Sequence, residues 1–224
     1  MKKIMFNDKY GLTEAVLSGR KTQTRRIIPQ SVIEKVEKFG REYFAGTLDN
    51  LTGIDLFNHY FFTEKLGRVP FSVGEVVAIA QSYASIVDEL EDPKNFCCME
   101  HWESAAPKRA HYCGFLYHPG MLNKMFVSAD EMPHRIKFTR NRIEYLQDIS
   151  DWDCIKEGIS PYYNGYEEEK IKRGLGPDGF SFEGVNCLFP TAREAYAHLI
   201  DRVSGKGTWA SNPIVFAYDY ELTK

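Results

Sequence analysis

The sequence predicts an α+β fold: a small mixed β-barrel with flanking helices and three loop-rich insertions. Three observations carry this expectation. Val76-Val77-Ala78-Ile79-Ala80 is an unbroken apolar run, as in a strand buried on both faces. Arg135 to Leu146 and Ile214 to Leu222 alternate in the manner of half-buried strands. Helical periodicity is sparse, and no regular strand–helix–strand alternation occurs, which separates the chain from doubly wound folds.

Taken in order, residues 4 to 28 read as a short strand, a helix over Thr13 to Ser18 stopped by Gly19, and an extended basic segment. Residues 31 to 68 hold no sustained period and are rich in Phe and Tyr, so they read as a first insertion. The turn Val73-Gly74-Glu75 feeds the apolar strand. Residues 84 to 122 form a second insertion, and Lys124 to Ala129 reads as a strand. Along Arg135 to Leu146, Ile136 and Phe138 share one parity while Ile143 and Tyr145 share the other. That shift predicts a bulge or turn near Thr139 to Asn141. Ser150 or Asp151 caps a short helix that Gly158 ends, and residues 160 to 189 form a third, Gly-, Tyr- and Glu-rich insertion. Thr191 and Glu194 make a capping box for a helix over Ala192 to Val203. The last strand presents Ile214, Phe216, Tyr218 and Tyr220 on one face, and Val215, Ala217, Asp219 and Glu221 on the other. With no internal repeat, residues 1–224 read as one domain.

Composition narrows the function classes. The chain has 224 residues, 43% hydrophobic, with a formal net charge of −3. Lys2, Lys3, Lys9, Arg20, Lys21, Arg25 and Arg26 face only Asp8 and Glu14 within residues 1 to 28, so the remainder carries the excess acid. A basic spot on an acidic body suits one specific anionic ligand better than indiscriminate DNA binding. Met1 to Phe6 runs straight into Asn7, Asp8 and Lys9 without an apolar leader core, and no stretch has the length of a membrane span. With five cysteines, an odd number, the expectation is a cytoplasmic protein with free thiols and no membrane partner. Gly-rich phosphate loops, His-Glu-x-x-His helices and Gly-x-Ser-x-Gly elbows are absent.

The densest chemistry lies in Gly19-Arg20-Lys21-Thr22-Gln23-Thr24-Arg25-Arg26. Four cations and two hydroxyls in seven residues make a candidate site for a phosphate or another polar anion. Cys97-Cys98-x-x-His101 and His111-x-Cys113 offer zinc-type ligands, but adjacent cysteines at this spacing depart from the paired-knuckle pattern, so no metal or cofactor is expected. Arg135, Lys137, Arg140 and Arg142 read either as a solvated face or as a track for RNA, with Tyr145 or Trp152 as stacking surfaces.

The order of these motifs resembles the ASCH domain, a branch of the PUA-like β-barrel superfamily. The likeness runs through Ala15 to Arg26, Val73 to Val77, Arg142 to Ile149 and Ile155 to Ile159, and closes with Trp209 and Asn212-Pro213. Gly-Arg-Lys-Thr-x-Thr-x-Arg is its most specific element. The longer form with a doubled arginine is similar to ASCH proteins of bacterial genomes and of phage or mobile elements. The resemblance implies a PUA-like barrel that binds RNA, a nucleotide or a modified nucleoside in a cleft beside the basic element. It also implies metal-free hydrolysis of N4-acylated cytidine-like substrates, with Lys21, Thr24 and Glu157 as catalytic residues. Ribonuclease action on single-stranded RNA and non-catalytic RNA binding are the alternatives it leaves. The chain departs from the compact amidohydrolases in its greater length and in carrying Arg25 where they have an apolar residue.

Chemistry sets conditions on that site. Thr24 as a nucleophile needs a base within hydrogen-bond reach. Lys21 acts as a base only if crowding by Arg20, Arg25 and Arg26 and partial burial lower its pKa, whereas a nearby Glu157 raises it. Glu157 is then either a proton donor to the leaving amine or the anchor of Lys21. Arg20, Arg25 and Arg26 are candidate ligands for a phosphate or an oxyanion. Trp209 and Asn212 are candidate substrate-binding residues, beside a reading in which they fix the last strand. In the simplest alternative Lys21, Arg25 and Arg26 pair with carboxylates or backbone phosphate and Thr24 is an ordinary strand residue.

Overall fold

The computed structural model describes residues 1–43, 54–63, 69–91, 119–165 and 167–223. It is a mixed α+β structure. Its main sheet contains β1 (Lys3–Ile4), β2 (Gln23–Ile27), β3 (Val76–Ile79), β4 (Arg135–Tyr145) and β7 (Ile214–Thr223), in the order β1-β3-β4-β7-β2. β1 and β3 run parallel, and β3–β4 and β2–β7 run antiparallel. The expected barrel is not closed. Among the described residues no pairing joins β1 to β2, and β1, two residues long, offers too short a ladder to seal an edge.

Contacts divide the chain into two compact units. One comprises Met1–Phe6, Val76–Lys137 and Leu222–Lys224. It contains β1, β3, the start of β4 and helix α4 (Tyr83–Glu91), and its core gathers Ala78, Ala80, Tyr83, Ile86, Val127 and Met132. The Lys3 ammonium donates to the carbonyls of Met125 and Val127, both at 2.7 Å. The strand expected over Lys124 to Ala129 is instead a pair of 3₁₀ turns, Lys124–Phe126 and Ala129–Glu131. The side chains of Asn123 and Ser128 accept from Met125 N and Asp130 N, and such local bonds take the backbone away from a ladder.

The other unit comprises Asn7–Glu75 and Phe138–Glu221. Here α1 (Leu12–Leu17) precedes β2, and Gly19 leaves the helix at φ +75°. The first insertion, read as lacking a period, contains α2 (Gln30–Tyr43) and α3 (Ile54–Thr63). In α3, Phe57 and Phe61 lie one helical turn apart, both buried, with rings 6.1 Å apart. Phe61 also meets Phe216 at 5.4 Å. The apolar positions of α2, Val36 among them, are set among many charges, which masks its period in the sequence. Farther along, Ser150 caps α5 (Asp151–Lys156). β5 (Ser160–Tyr162) and β6 (Gly179–Ser181) pair antiparallel around α6 (Glu167–Lys172), so the third insertion is ordered. Thr191 caps α7 (Ala192–Ser204), and α8 (Thr208–Ser211) leads into β7 through Asn212 at φ +43°. The alternation of exposure along β4 breaks at Thr139 and Arg140, both exposed, where the parity shift was expected.

Candidate functional site

Two backbone bonds deliver Lys21 to Glu157. Lys21 N donates to Ala15 O at 2.7 Å, turning the chain back after α1. Thr22 N donates to Lys156 O at 2.9 Å, tying the start of β2 to the end of α5. Gly158, at φ +107°, lets the chain turn away directly after Glu157. A Cβ there would lie 3.2 Å from Leu12 and 3.6 Å from Lys21 Cδ, so the glycine also admits the lysine stem.

The lysine head group is enclosed. Lys21 Nζ donates to Glu157 Oε2 at 2.5 Å and to Glu157 O at 2.8 Å, with side-chain exposures of 2% and 5% for the two residues. Burial lowers the Lys21 pKa; the Glu157 carboxylate pulls it up, and Arg26 and Arg25 add to the lowering. Of the two opposing effects expected at this lysine, burial prevails.

Arg25 follows on the same side of the strand. Its Nη1 donates to Glu157 Oε1 and to Gln23 Oε1, both at 3.0 Å, and its Nε donates to Glu144 Oε1 at 2.8 Å. Nη2 lies 2.6 Å from the same Glu144 oxygen, a close ion pair outside hydrogen-bond alignment. Burial works against this charge, but Glu157 and the other neighbouring groups outweigh it, and the guanidinium is held above its ordinary pKa. Glu144 Oε2 in turn accepts from Arg142 Nε at 2.7 Å. Arg142 reaches Asp219 at 3.1 Å and Asp153 at 3.3 Å. Gln23 Nε2 donates to Asp153 Oδ1 at 2.9 Å and to Asp219. Burial raises the Asp153 pKa, but the Gln23 bond and the charges of Arg142 and Arg25 more than reverse it, to below the usual carboxylate range.

Two cations of the basic segment, Lys21 and Arg25, are therefore compensated from within. Together with Arg142 they are matched by Glu144, Asp153, Glu157 and Asp219, which come from β4, from α5 and the residue that caps its end, and from β7. Comparison with protein-family models, curated proteins and solved structures finds no match.

Thr24 occupies a different setting. It pairs in register with Tyr218, and Arg26 pairs with Phe216, so these four residues share the strand face opposite Gln23 and Arg25. Thr24 is buried, and among the described residues its hydroxyl bonds neither Lys21 nor Glu157. Burial lowers the half-buried Arg26, with Glu157 opposing. Arg20 is exposed, with Nε 3.2 Å from Ser18 Oγ and Nη1 3.3 Å from Ser160 Oγ. Asn212 Oδ1 accepts from Gln147 N at 2.8 Å, and Trp209 O accepts from Gln147 Nε2 at 2.8 Å. The Arg193 guanidinium stands 5.2 Å from the Trp209 ring centre and donates to Ile149 O at 2.8 Å. Trp209 and Asn212 thus clamp the segment after β4.

Cys97, Cys98, His101, His111 and Cys113 lie outside the described residues. Among the described residues no group of three metal-binding side chains converges, and no helix is long and apolar enough to cross a membrane. Burial pushes the Cys154 thiol up to about 12.

Sequence reasoning missed Gln23, Glu144, Asp153 and Asp219. One signal was available: Asp219 interrupts the apolar Val215-x-Ala217 face of the last strand. A carboxylate on an otherwise buried face requires a cationic partner. Arg142, read as part of a solvated face or RNA track, belongs to the network, whereas Arg140 is exposed.

Proposed function

We propose that this chain is a PUA-like, ASCH-type protein that binds a modified nucleoside or short RNA segment beside β2 and hydrolyses an N4-acyl amide without a metal. One observation supports the reading above the others: a buried lysine, its pKa lowered, in direct contact with a buried carboxylate. Such a pair can move a proton in a site closed to bulk water. The substrate class rests on the resemblance of the Gly-Arg-Lys-Thr-x-Thr-x-Arg element.

Two routes are chemically balanced. In the first, Thr24 Oγ forms a bond to the acyl carbon, the C–N bond breaks, and the hydroxyl proton passes by way of Lys21 to the leaving amine. Water then cleaves the acyl-threonine. This route requires Thr24 Oγ and Lys21 Nζ to meet once substrate is bound. In the second, Lys21 and Glu157 orient a water whose oxygen bonds to the acyl carbon as the C–N bond breaks; one water proton passes through the Lys21–Glu157 pair to the leaving amine, and no acyl-enzyme forms.

The test is turnover of N4-acetylcytidine, related acylated nucleosides and short acetylated RNAs by wild type, Thr24→Ala, Lys21→Met and Glu157→Gln. The first route predicts loss in all three variants and a trapped acyl adduct on Thr24. The second predicts loss in Lys21→Met and Glu157→Gln alone. Absence of turnover by wild type on the whole panel overturns the hydrolase reading. Salt-dependent RNA binding in that case would favour a non-catalytic module. Arg25 is not proposed as a phosphate ligand, because its Nε and Nη1 donate to Glu144, Glu157 and Gln23 and its Nη2 stands in ion pairs with Glu144 and Asp153.

A further inference from the structure

We propose that Arg25 is a positioning residue: together with Gln23 and Glu144 it fixes the Glu157 carboxylate so that one oxygen is always presented to Lys21. The inference rests on the reading of Lys21 and Glu157 as the working pair, and not on the identity of the substrate.

The geometry divides the two oxygens of Glu157. Oε2 faces Lys21 Nζ at 2.5 Å, and Oε1 faces Arg25 Nη1 at 3.0 Å. A glutamate carboxylate rotates easily about its last bond, because that torsion is broad and two-fold. Bound by Lys21 alone, it could exchange its oxygens or tilt away. A second donor on the opposite oxygen removes that freedom.

Arg25 is itself immobilised. Its Nη1 also meets Gln23 Oε1, and its Nε and Nη2 meet Glu144. Gln23 is anchored by Asp153 and Asp219, and Glu144 by Arg142. The chain of constraint thus runs from three carboxylates on separate elements, through Arg25, to Glu157 and finally to Lys21. A guanidinium suits the role because it is planar, presents donors in a fixed fork and keeps its charge at every working pH. A lysine would replace the fork with one point charge.

The charged and titratable groups around the pair come from four elements. Arg25 and Arg26 face it from β2, Cys154 lies within α5, Tyr196 faces it from α7, and Tyr220 from β7. Of these groups, Arg25 donates directly to a Glu157 oxygen, at 3.0 Å. Burial holds both phenols well above their ordinary pKa.

The experiment follows the Lys21 ammonium directly, by ¹H–¹⁵Nζ NMR across a pH series, in wild type, Arg25→Met, Arg25→Lys and Glu144→Gln. Thermal melting is recorded on the same samples. The expected result in Arg25→Met is a shifted Lys21 signal, an altered titration midpoint and ammonium hydrogen exchange faster by about tenfold. Partial restoration is expected in Arg25→Lys. If Arg25→Met does not fold, Glu144→Gln keeps the Arg25 charge and removes one of its holds, and should change the same signal in the same sense by less. A Lys21 signal unchanged in midpoint and exchange, in variants that merely melt earlier, would overturn the proposal. The readout needs no turnover. A Lys21 response without hydrolysis of any acylated nucleoside would retain the positioning role while the proposed reaction failed.

Discussion

Along β2 and the two residues before it, Lys21, Gln23 and Arg25 carry hydrogen bonds and ion pairs to four carboxylates. Thr22, Thr24 and Arg26 alternate with them and are matched across the ladder by Tyr220, Tyr218 and Phe216. Lys21, Gln23 and Arg25 are buried, while on the other side Thr24 is buried and Thr22 and Arg26 are half-buried; the two sides leave water by different means. On the aromatic side, Phe71, Phe138 and Tyr218 gather with ring centres 4.7 to 5.6 Å apart, and each removes apolar surface from water. That gain depends little on which neighbour fills the space. On the charged side, each group costs several kcal/mol to desolvate, recovered only when its partner stands in place. The aromatic side supplies stability, and the charged side supplies register, because Gln23 meets Asp219 in one alignment of β2 and β7 only.

The two largest predicted effects should be equal in size and different in reversibility. Phe138→Ala should cost about 3–5 kcal/mol in urea unfolding through the cavity it leaves. Glu157→Leu should cost about 3–5 kcal/mol because Lys21 and Arg25 lose a buried counter-charge. Adding Lys21→Met should return part of the second loss and none of the first. Equal responses of both backgrounds to Lys21→Met would erase the distinction between the sides.

A smaller loss, about 1–3 kcal/mol, is expected for Gly158→Ala, which forces a side chain into φ +107° against Leu12 and the Lys21 stem. Tyrosine and phenylalanine signals of the aromatic side should stay unmoved, and their displacement would show that the sides are not independent.

Next comes acid. Asp153 has a folded pKa below its ordinary 3.8, so its contribution is full above that value and disappears as the pH falls through the lowered folded value. Stability measured through this window should decline more steeply in wild type than in Asp153→Asn. Parallel curves would remove Asp153 from the account. The smallest effect belongs to Thr24→Val. Since the hydroxyl bonds neither Lys21 nor Glu157, stability should change by less than about 1 kcal/mol. A larger loss would assign Thr24 a structural bond.

Parts of this arrangement were legible in the chain. The extended basic segment ending at Arg26 contains a strand, β2, and the caps Ser150 and Thr191 sit where their helices begin. The order of short motifs placed Glu157 beside Lys21 as an expectation, and the two are in contact. Two of the three carboxylates that balance Arg25 were not legible, because Glu144 and Asp153 approach it from more than a hundred residues away and no local period links them. Apolar residues in Lys124 to Ala129 suggested a strand, and the side chains of Asn123 and Ser128 divert that backbone into turns. Closure of a barrel depends on whether edge strands meet, a property no single segment encodes.

The pairing of β2 with β7 has a consequence in time. Gln23 and Asp219 stand 196 positions apart, so the ladder cannot form until β7 has left the ribosome. Until then Lys21 and Arg25 lack part of the scaffold that neutralises them, and the early segment waits as a basic, solvated thread. Closing so long a loop is a slow step. A chain interrupted before Ile214 would lose β7, the partner of β2, so the damage would be felt at residue 23, far from where it was done.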